Sequence, residues 1–176
     1  MVEPVIYFDI LAETAKQLRE HVDLSGPGAP FGIDTYRISR IPFEPGAQAK
    51  FIQSLNPPEV IVSPGRYIRI PEQEGTNRRE DVYFPVLIQF VGMTDPEWFD
   101  QDTLKRELSW EQATRSFFIN GNLRLEVFKP EGYVNKVIVN KTEMIDPNQF
   151  VVLEIAASAV ALDVVVRTPR DSRGTV

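Results

Sequence analysis

The stretch from Val82 to Val91 constrains the fold of this chain more than any other segment. Apolar side chains occupy both of its alternating faces, with Val82, Phe84, Val86, Ile88 and Phe90 on one face and Tyr83, Leu87 and Val91 on the other. Such a pattern is typical of a central strand that is covered on both sides. Because Pro85 cannot donate a hydrogen bond to a neighbouring strand, it predicts a bulge or an edge position.

The segment before this strand favours a β-hairpin. Glu59–Ser63 and Arg66–Ile70 have the composition of strands and flank Pro64-Gly65. Proline presets the backbone for the first central position of a type II turn, and glycine accepts the positive φ of the second. We therefore predict two strands joined by a turn at this dipeptide.

The C-terminal third predicts a second pair of strands. Val134–Ile145 and Phe150–Arg167 flank Asp146–Gln149, which suits a type I turn. In the second segment the apolar alternation changes register, from Val151, Leu153 and Ile155 to Val160, Leu162, Val164 and Val166. Because side chains in a strand alternate with a period of two, burying both sets predicts a bulge or a break around Ala156–Ala159.

A first helix is predicted from Asp9 to Val22. Its apolar stripe has helical spacing and consists of Leu11, Ala15, Leu18 and Val22. Asp9 suits the N-cap position, and Ser25–Gly28 supplies residues that end a helix.

A second helix is predicted after Asp95-Pro96. Ser109 and Gln112 have the spacing of a capping box. The apolar face that follows consists of Trp110, Ala113, Thr114, Phe117 and Phe118, and Asn120-Gly121 suits the C-terminal end. Asp102–Leu108 is either an earlier part of the same helix or a separate one.

These elements predict an α+β fold with a mostly antiparallel sheet flanked by two main helices. A chain of 176 residues suits a single domain, residues 1–176. Residues 26–58 are rich in proline and also in apolar side chains, so we predict an insertion or arm that packs on this domain or on a neighbouring copy. The polar residues 168–176 predict a flexible tail.

Composition excludes several classes of function. The chain has no cysteine, which rules out disulfides, thiolate metal sites and a cysteine nucleophile. Its net charge of −6 argues against a protein that grips nucleic acid through many phosphates. We expect no signal peptide and no membrane span, because the N-terminus lacks a basic region and no apolar run is long enough. The sequence is compatible with a soluble protein of the cytoplasm.

Two groups of polar residues are candidates for chemistry. His21 is the only histidine, and we interpret it as a partly exposed residue at a helix end, since no nucleophile motif accompanies it. Four carboxylates lie close together in the segment Asp95, Glu97, Asp100 and Asp102. Their spacing does not match a calcium loop, so a solvated loop is the favoured interpretation.

The remaining motifs are weaker. Gly26–Gly28 and Gly121-Asn122 do not have the context of a phosphate-binding loop. The short basic clusters, which consist of Arg78, Arg79, Arg167, Arg170 and Arg173, are interpreted as solvated. The aromatic residues Trp98, Phe99, Trp110, Phe117 and Phe118 favour core packing over a binding patch. We therefore predict no catalytic, cofactor-binding or metal-binding residue, no cofactor, and no enzymatic activity.

The order of the elements resembles that of the tail terminator, or tail-completion, proteins of tailed bacteriophages and their relatives at the head–tail junction. The shared order is an amphipathic helix, several strands, a helix carrying Trp110, Phe117 and Phe118, and a final antiparallel pair. The resemblance covers most of the chain and concerns topology alone. The family has no catalytic residues and no sequence motif, so no residue role is carried over, and residues 26–58 depart from its pattern.

The resemblance implies a virion structural protein that forms a homo-hexameric ring at the head-proximal end of the tail, ends growth of the tail tube and joins the tail to the neck. Its partners would be copies of itself, the tail tube protein and neck or connector proteins. DNA would pass through the ring without specific binding, and assembly would take place in the host cytoplasm. Two alternatives stay open, namely a non-catalytic adaptor that recognises a protein partner through a sheet edge and, less favoured, a hydrolase or transferase.

Overall fold

The computed structural model describes residues 3–25, 29–43, 49–65, 79–93, 101–119, 133–139, 151–152 and 155–169. Its helices are α1 (Glu3–Glu20), α2 (Val22–Ser25), α3 (Ala49–Gln53) and α4 (Gln101–Ile119). Its strands are β1 (Thr35–Ile38), β2 (Glu59–Pro64), β3 (Arg79–Met93), β4 (Tyr133–Val139), β5 (Val151–Val152) and β6 (Ile155–Pro169). Thr168 and Pro169, which were predicted to begin the tail, belong to β6, and residues 170–176 lie outside the described residues.

Five strands form one sheet in the order β1-β2-β3-β6-β4, and the short β5 pairs with the start of β6. β1 runs parallel to β2, whereas the other strand pairs of the described residues are antiparallel. The sheet is therefore mixed, with its parallel pair at the β1 edge. The predicted α+β class, with two main helices beside a sheet, is confirmed.

The long pair of β3 and β6 forms the centre of the sheet. It runs from Arg79 opposite Pro169 to Met93 opposite Ile155 with no shift of register. The bulge or break predicted around Ala156–Ala159 is therefore wrong. The two apolar sets of β6 lie on opposite faces, with Ile155 in one cluster and Val160 in the other, and both faces are covered where these residues lie.

Pro85 marks the point at which β2 ends. The last pair between β2 and β3 joins Pro64 to Val86, and the N–H of Gly65 donates to the Pro85 carbonyl oxygen at 2.8 Å. Among the described residues, Arg79–Pro85 pairs with β6 alone. The bulge or edge position predicted from Pro85 stays a prediction, because the residues that follow Gly65 lie outside the described part of the chain. The second half of the predicted hairpin, Arg66–Ile70, lies outside the described residues.

Both long helices pack on the same face of the sheet. α1 lies on β1 and β2, and α4 lies mainly on β6, β4 and β3. The core between them includes Leu18 of α1, Phe90 of β3 and Leu162 of β6. Trp110 of α4 stacks on Phe90 with ring centroids 5.5 Å apart.

α1 differs from its prediction at both ends. The helix begins at Glu3, so Asp9 lies within it and is not its N-cap. It ends at Glu20, and Val22 lies on α2 with 73% of its surface exposed. The buried face of α1 therefore differs from the predicted stripe. It leaves out Val22 and includes Ile10 and Thr14, which are buried together with Leu11, Ala15 and Leu18.

α4 is longer than the predicted second helix. Because Asp102–Leu108 continues the same helix, Ser109 lies in its middle and is exposed, and the predicted capping box is wrong. The backbone N–H groups after Ser109 already have helical partners, so a cap has nothing to satisfy there. The predicted apolar face is nevertheless correct, since Trp110, Thr114, Phe117 and Phe118 are buried.

A smaller cluster covers the other face of the sheet at one end. The described part of residues 39–55, here called the strap, brings Phe43 and α3 onto Ile61, Val91 and Ile155. The proline-rich region therefore packs on its own domain through the strap and adds β1 to the sheet. Residues 26–28 and 44–48 of this region lie outside the described part of the chain.

Candidate functional site

His21 is placed for packing. It directly follows α1, and its backbone carbonyl accepts the N–H groups of Leu24 and Ser25. Its ring contacts Phe117 of α4 edge-on, with centroids 4.7 Å apart. The buried Nδ1 atom has no hydrogen-bond partner within the described structure. These contacts join the end of α1 to α4.

The described residues contain no group of three or more acidic or histidine side chains that could hold a metal ion. Of the acidic segment, Asp102 is described, and it lies exposed in the first turn of α4. Asp95, Glu97 and Asp100 lie outside the described residues, as do the two glycine motifs at 26–28 and 121–122.

The basic and aromatic candidates that the structure describes have structural partners. Arg167 of β6 donates two hydrogen bonds, of 2.8 and 2.9 Å, to the carboxylate of Asp81 on β3. Trp110, Phe117 and Phe118 form core, as the sequence indicated. Arg79 begins β3, whereas Arg78, Arg170, Arg173, Trp98 and Phe99 lie outside the described residues.

A buried ion pair anchors the strap at one end. Glu59 of β2 is fully buried, and its Oε2 accepts a hydrogen bond from Arg37 of β1 at 3.3 Å. Arg37 also donates to the carbonyl oxygen of Ser54, 2.8 Å away, just after α3. One arginine therefore ties β1, β2 and the end of α3 together. No local pattern indicated this pair, because Glu59 is the first residue of a largely apolar strand.

A buried amide anchors the strap at its other end. Gln89 of β3 accepts the backbone N–H of Phe43 at 2.7 Å and donates to the carbonyl oxygen of Phe43 at 2.8 Å. Gln89 and Phe43 are both buried. The side chain therefore takes the place of a neighbouring strand for one residue of the strap.

Two tyrosines hold the first two helices. The hydroxyl of Tyr7 on α1 donates to the Pro85 carbonyl oxygen, and Tyr36 bonds to Ser25 of α2. Burial raises the pKa of Tyr7 to about 12, although a backbone hydrogen bond from Gly65 opposes it and the charge of Asp163 adds a smaller increase. Burial likewise raises the pKa of Tyr36, and the nearby Arg19 opposes that rise.

The strongest candidate for a functional surface is the exposed side of α4, here called the α4 outer face. Its exposed residues are Gln101, Asp102, Leu104, Lys105, Leu108, Ser109, Gln112, Ser116 and Ile119. Leu104, Leu108 and Ile119 are 54%, 57% and 69% exposed. At about 100° per residue these three lie within a sector of roughly 60° and form one apolar stripe. Arg115 lies in the same sector with Glu111 beside it, so the half-buried ion pair of these two residues interrupts the stripe between Leu108 and Ile119.

The α4 outer face carries no net charge. Asp102 and Lys105 are its fully exposed ionisable residues among the described side chains, and the half-buried ion pair of Glu111 and Arg115 lies within the stripe. On α1 the exposed described side chains are Phe8, Lys16, Arg19 and Glu20, of which three are charged. Exposed large apolar side chains on one side of a helix are typical of the surfaces by which proteins bind one another. A helical wheel continued upstream of Ser109 would have revealed this second stripe.

A second apolar surface lies at the opposite edge of the sheet. It consists of residues 37–41 and is here called the β1 corner. Ile38 and Ile41 are 36% and 55% exposed, and Arg40 between them is also exposed. Ser39 fixes its shape, because its N–H donates to the Val62 carbonyl oxygen at 2.9 Å and its hydroxyl donates to the Ile41 carbonyl oxygen at 2.6 Å.

Comparison of the chain with models of known protein families and with curated proteins finds no match. None of the helices described here has the length and apolar character needed to cross a membrane.

Proposed function

We propose that this protein is a non-catalytic structural subunit of a tailed-phage virion. Copies of it assemble into a ring at the head-proximal end of the tail, where the ring ends tube growth and joins the tail to the neck. The place in the virion rests on the resemblance in element order to tail terminator proteins. The self-assembly rests on a feature of this chain, the α4 outer face.

The α4 outer face is the single observation that carries the proposal. Three large apolar side chains on one exposed stripe cost solubility in a protein that stays alone, and they gain free energy when another protein covers them. The described polar side chains with close partners, such as Gln89, Glu59 and Arg167, use those partners to hold strands and the strap together. The surface suited to an external partner is therefore apolar, which favours an assembly function.

The test is the mass of the full chain in solution. Sedimentation velocity over a range of concentrations, alone and with the tail tube protein of the same phage, should show a species near six copies of the 20.0 kDa chain. Negative-stain images of that species should show closed rings, seated on tube ends when tube protein is present.

Two variants test whether the assembled mass depends on the α4 outer face. Leu108→Lys should lower the assembled mass, because it places a charge in the centre of the apolar stripe. Phe8→Lys makes the same kind of change at an exposed position on α1 and should leave assembly unchanged. A chain that stays monomeric at every concentration, with and without tube protein, would contradict the proposal and favour the adaptor alternative.

A further inference from the structure

We propose that the strap opens and closes as one unit while the rest of the domain stays folded, and that it controls access to the sheet surface beneath it. That surface consists of Ile61, Val91 and Ile155. It lies on the face of the sheet opposite the two long helices, and its opening does not depend on the proposed ring.

The apolar cluster under the strap is small and separate from the main core, which lies between the sheet and the two long helices. Among the described side chains of the strap, Phe43 alone is fully buried, and Phe51, Ile52 and Leu55 are partly buried in the same cluster. Because apolar burial stabilises a fold in proportion to the area buried, uncovering this cluster costs much less free energy than unfolding the main core.

The hydrogen bonds that hold Phe43 can be exchanged for water without separating any strands. The side chain of Gln89 accepts the N–H of Phe43 at 2.7 Å and donates to its carbonyl oxygen at 2.8 Å. When Phe43 leaves, its two backbone groups and the amide of Gln89 all become accessible to water. A hydrogen bond that is replaced by water contributes little net free energy, whereas a group left buried without a partner costs more.

The two ends of the strap are tied together, so the strap can move without moving the strands that carry it. Arg37 of β1 donates to the hydroxyl and to the carbonyl oxygen of Ser54, at 3.2 and 2.8 Å. Arg37 also bonds to Glu59 of β2, and the N–H of Ser39 donates to the Val62 carbonyl oxygen. These contacts keep β1 on β2 and hold the ends of the strap close together, as in a compact loop that packs as a unit.

A single introduced thiol can report when the covered surface reaches solvent, because the chain has no cysteine of its own. Val91→Cys places the thiol under the strap, and Val160→Cys places it in the main core on the other face of the sheet. Both valines are fully buried, so labelling by DTNB requires an opening in each case. The labelling rates are measured at increasing urea concentrations below the unfolding transition.

The thiol of Val91→Cys should be labelled more than about tenfold faster than that of Val160→Cys, because local opening is more frequent than global unfolding. Its rate should also rise less steeply with urea, since the strap exposes less surface on opening than the whole domain does on unfolding. Equal rates with equal urea dependence would overturn the inference, because both sites would then open only when the whole domain unfolds.

A second substitution separates the two openings further. Ile10→Val trims a fully buried side chain of α1 in the main core. It should speed the labelling of Val160→Cys by roughly threefold to tenfold. It should leave the labelling of Val91→Cys unchanged, because strap opening breaks no contact of Ile10. An equal effect of Ile10→Val at both thiols would overturn the inference.

The strap itself is tested by Phe43→Leu, which should speed the labelling of Val91→Cys by roughly fivefold. No effect there would show that the strap does not control access to Val91. Circular dichroism confirms that each variant is folded. Should a cysteine variant fail to fold, hydrogen exchange of the unmodified chain gives the same answer, since the amide of Phe43 should exchange faster, and with a weaker urea dependence, than that of Leu162. Equal exchange at both amides would overturn the inference.

Discussion

At the scale of single residues, buried polar side chains in this protein act as partners for the backbone. Gln89 pairs with both backbone groups of Phe43, and Tyr7 reaches the carbonyl oxygen of Pro85 where β2 has ended. Gln89 satisfies two backbone groups for which the described part of the sheet supplies no neighbouring strand, whereas the Pro85 carbonyl oxygen also accepts the N–H of Gly65. Buried backbone groups need such partners, because leaving them unpaired costs free energy.

Gln89→Met tests the clasp on the strap. The substitution keeps the length of the side chain and removes both hydrogen bonds, which leaves the N–H and carbonyl of Phe43 buried without partners. We expect the free energy of unfolding to fall by about 2–4 kcal/mol, measured by urea denaturation. Gln53→Met changes an exposed glutamine of α3 and should cost little. Equal stability of the two variants would show that the clasp contributes nothing.

Tyr7 predicts how stability changes at alkaline pH. Its folded pKa of about 12 exceeds the unfolded value of 10.0, so the unfolded chain loses the proton first. The stabilisation from this tyrosine is complete below pH 10 and is lost as pH rises toward 12. Tyr7→Phe should cost about 1 kcal/mol at neutral pH, the usual value of one hydrogen bond.

The same variant should flatten the alkaline loss of stability without abolishing it, because Tyr36 still contributes. Thermal unfolding of both proteins between pH 8 and about pH 11 tests this through the linkage of protonation to folding. An identical alkaline slope in the two proteins would show that Tyr7 titrates alike when folded and unfolded.

The sequence predicted residue roles well where packing alone decides them. Trp110, Phe117 and Phe118 were expected in the core because helical spacing puts them on one face, and they are buried there. Gln89 could not be predicted, since its partner is a backbone segment 46 residues away. No local pattern reports a contact of that kind.

At the scale of elements, the end of β2 depends on a close approach between two strands. A Cβ atom on Gly65 would lie 2.6 Å from the Cβ of Pro85 and 3.2 Å from its carbonyl carbon. The glycine is therefore required by space. The absence of a Cβ on Gly65 allows β2 to end beside Pro85, the residue of β3 that has no backbone N–H.

Gly65→Ala should consequently destabilise the fold by about 1–3 kcal/mol, the usual cost of overpacking. Gly92→Ala is the matched control, because its nearest neighbours are the flexible side chains of Phe90 and Arg106 at 3.3 and 3.4 Å. Calorimetry should therefore show a larger fall in melting temperature for Gly65→Ala. The reverse order would mean that β2 and β3 separate easily at this point.

The elements were predicted best where the local pattern and the tertiary environment agree. Val82–Val91 has two apolar faces and is central, and Glu59–Ser63 is a buried strand. The bulge at Ala156–Ala159 was wrong because the prediction assumed that only one face of β6 is buried. The capping box at Ser109 failed because a good cap sequence does not start a helix whose preceding turns are also helical. β1 could not be predicted, because a strand of four residues is too short for its apolar alternation to be recognised in the sequence.

At the scale of the whole molecule, the proposed assembly predicts that association and stability are coupled. In that proposal the α4 outer face is removed from water only in the folded state, so association stabilises the fold by mass action. The melting temperature of the wild type should rise with protein concentration, whereas that of Leu108→Lys should not. Scanning fluorimetry over a hundredfold range of concentration tests this. A melting temperature of the wild type that does not depend on concentration would argue against assembly.

The position of β6 has a consequence for synthesis in the cell. This strand pairs with β3, β4 and β5, yet it follows all of them along the chain. Until β6 has left the ribosome, β3 and β4 lack the strand that lies between them, and the open edge of β3 can pair with other nascent chains. We expect chains stopped at residue 154 to aggregate, and the native sheet to close only after Pro169 has left the exit tunnel.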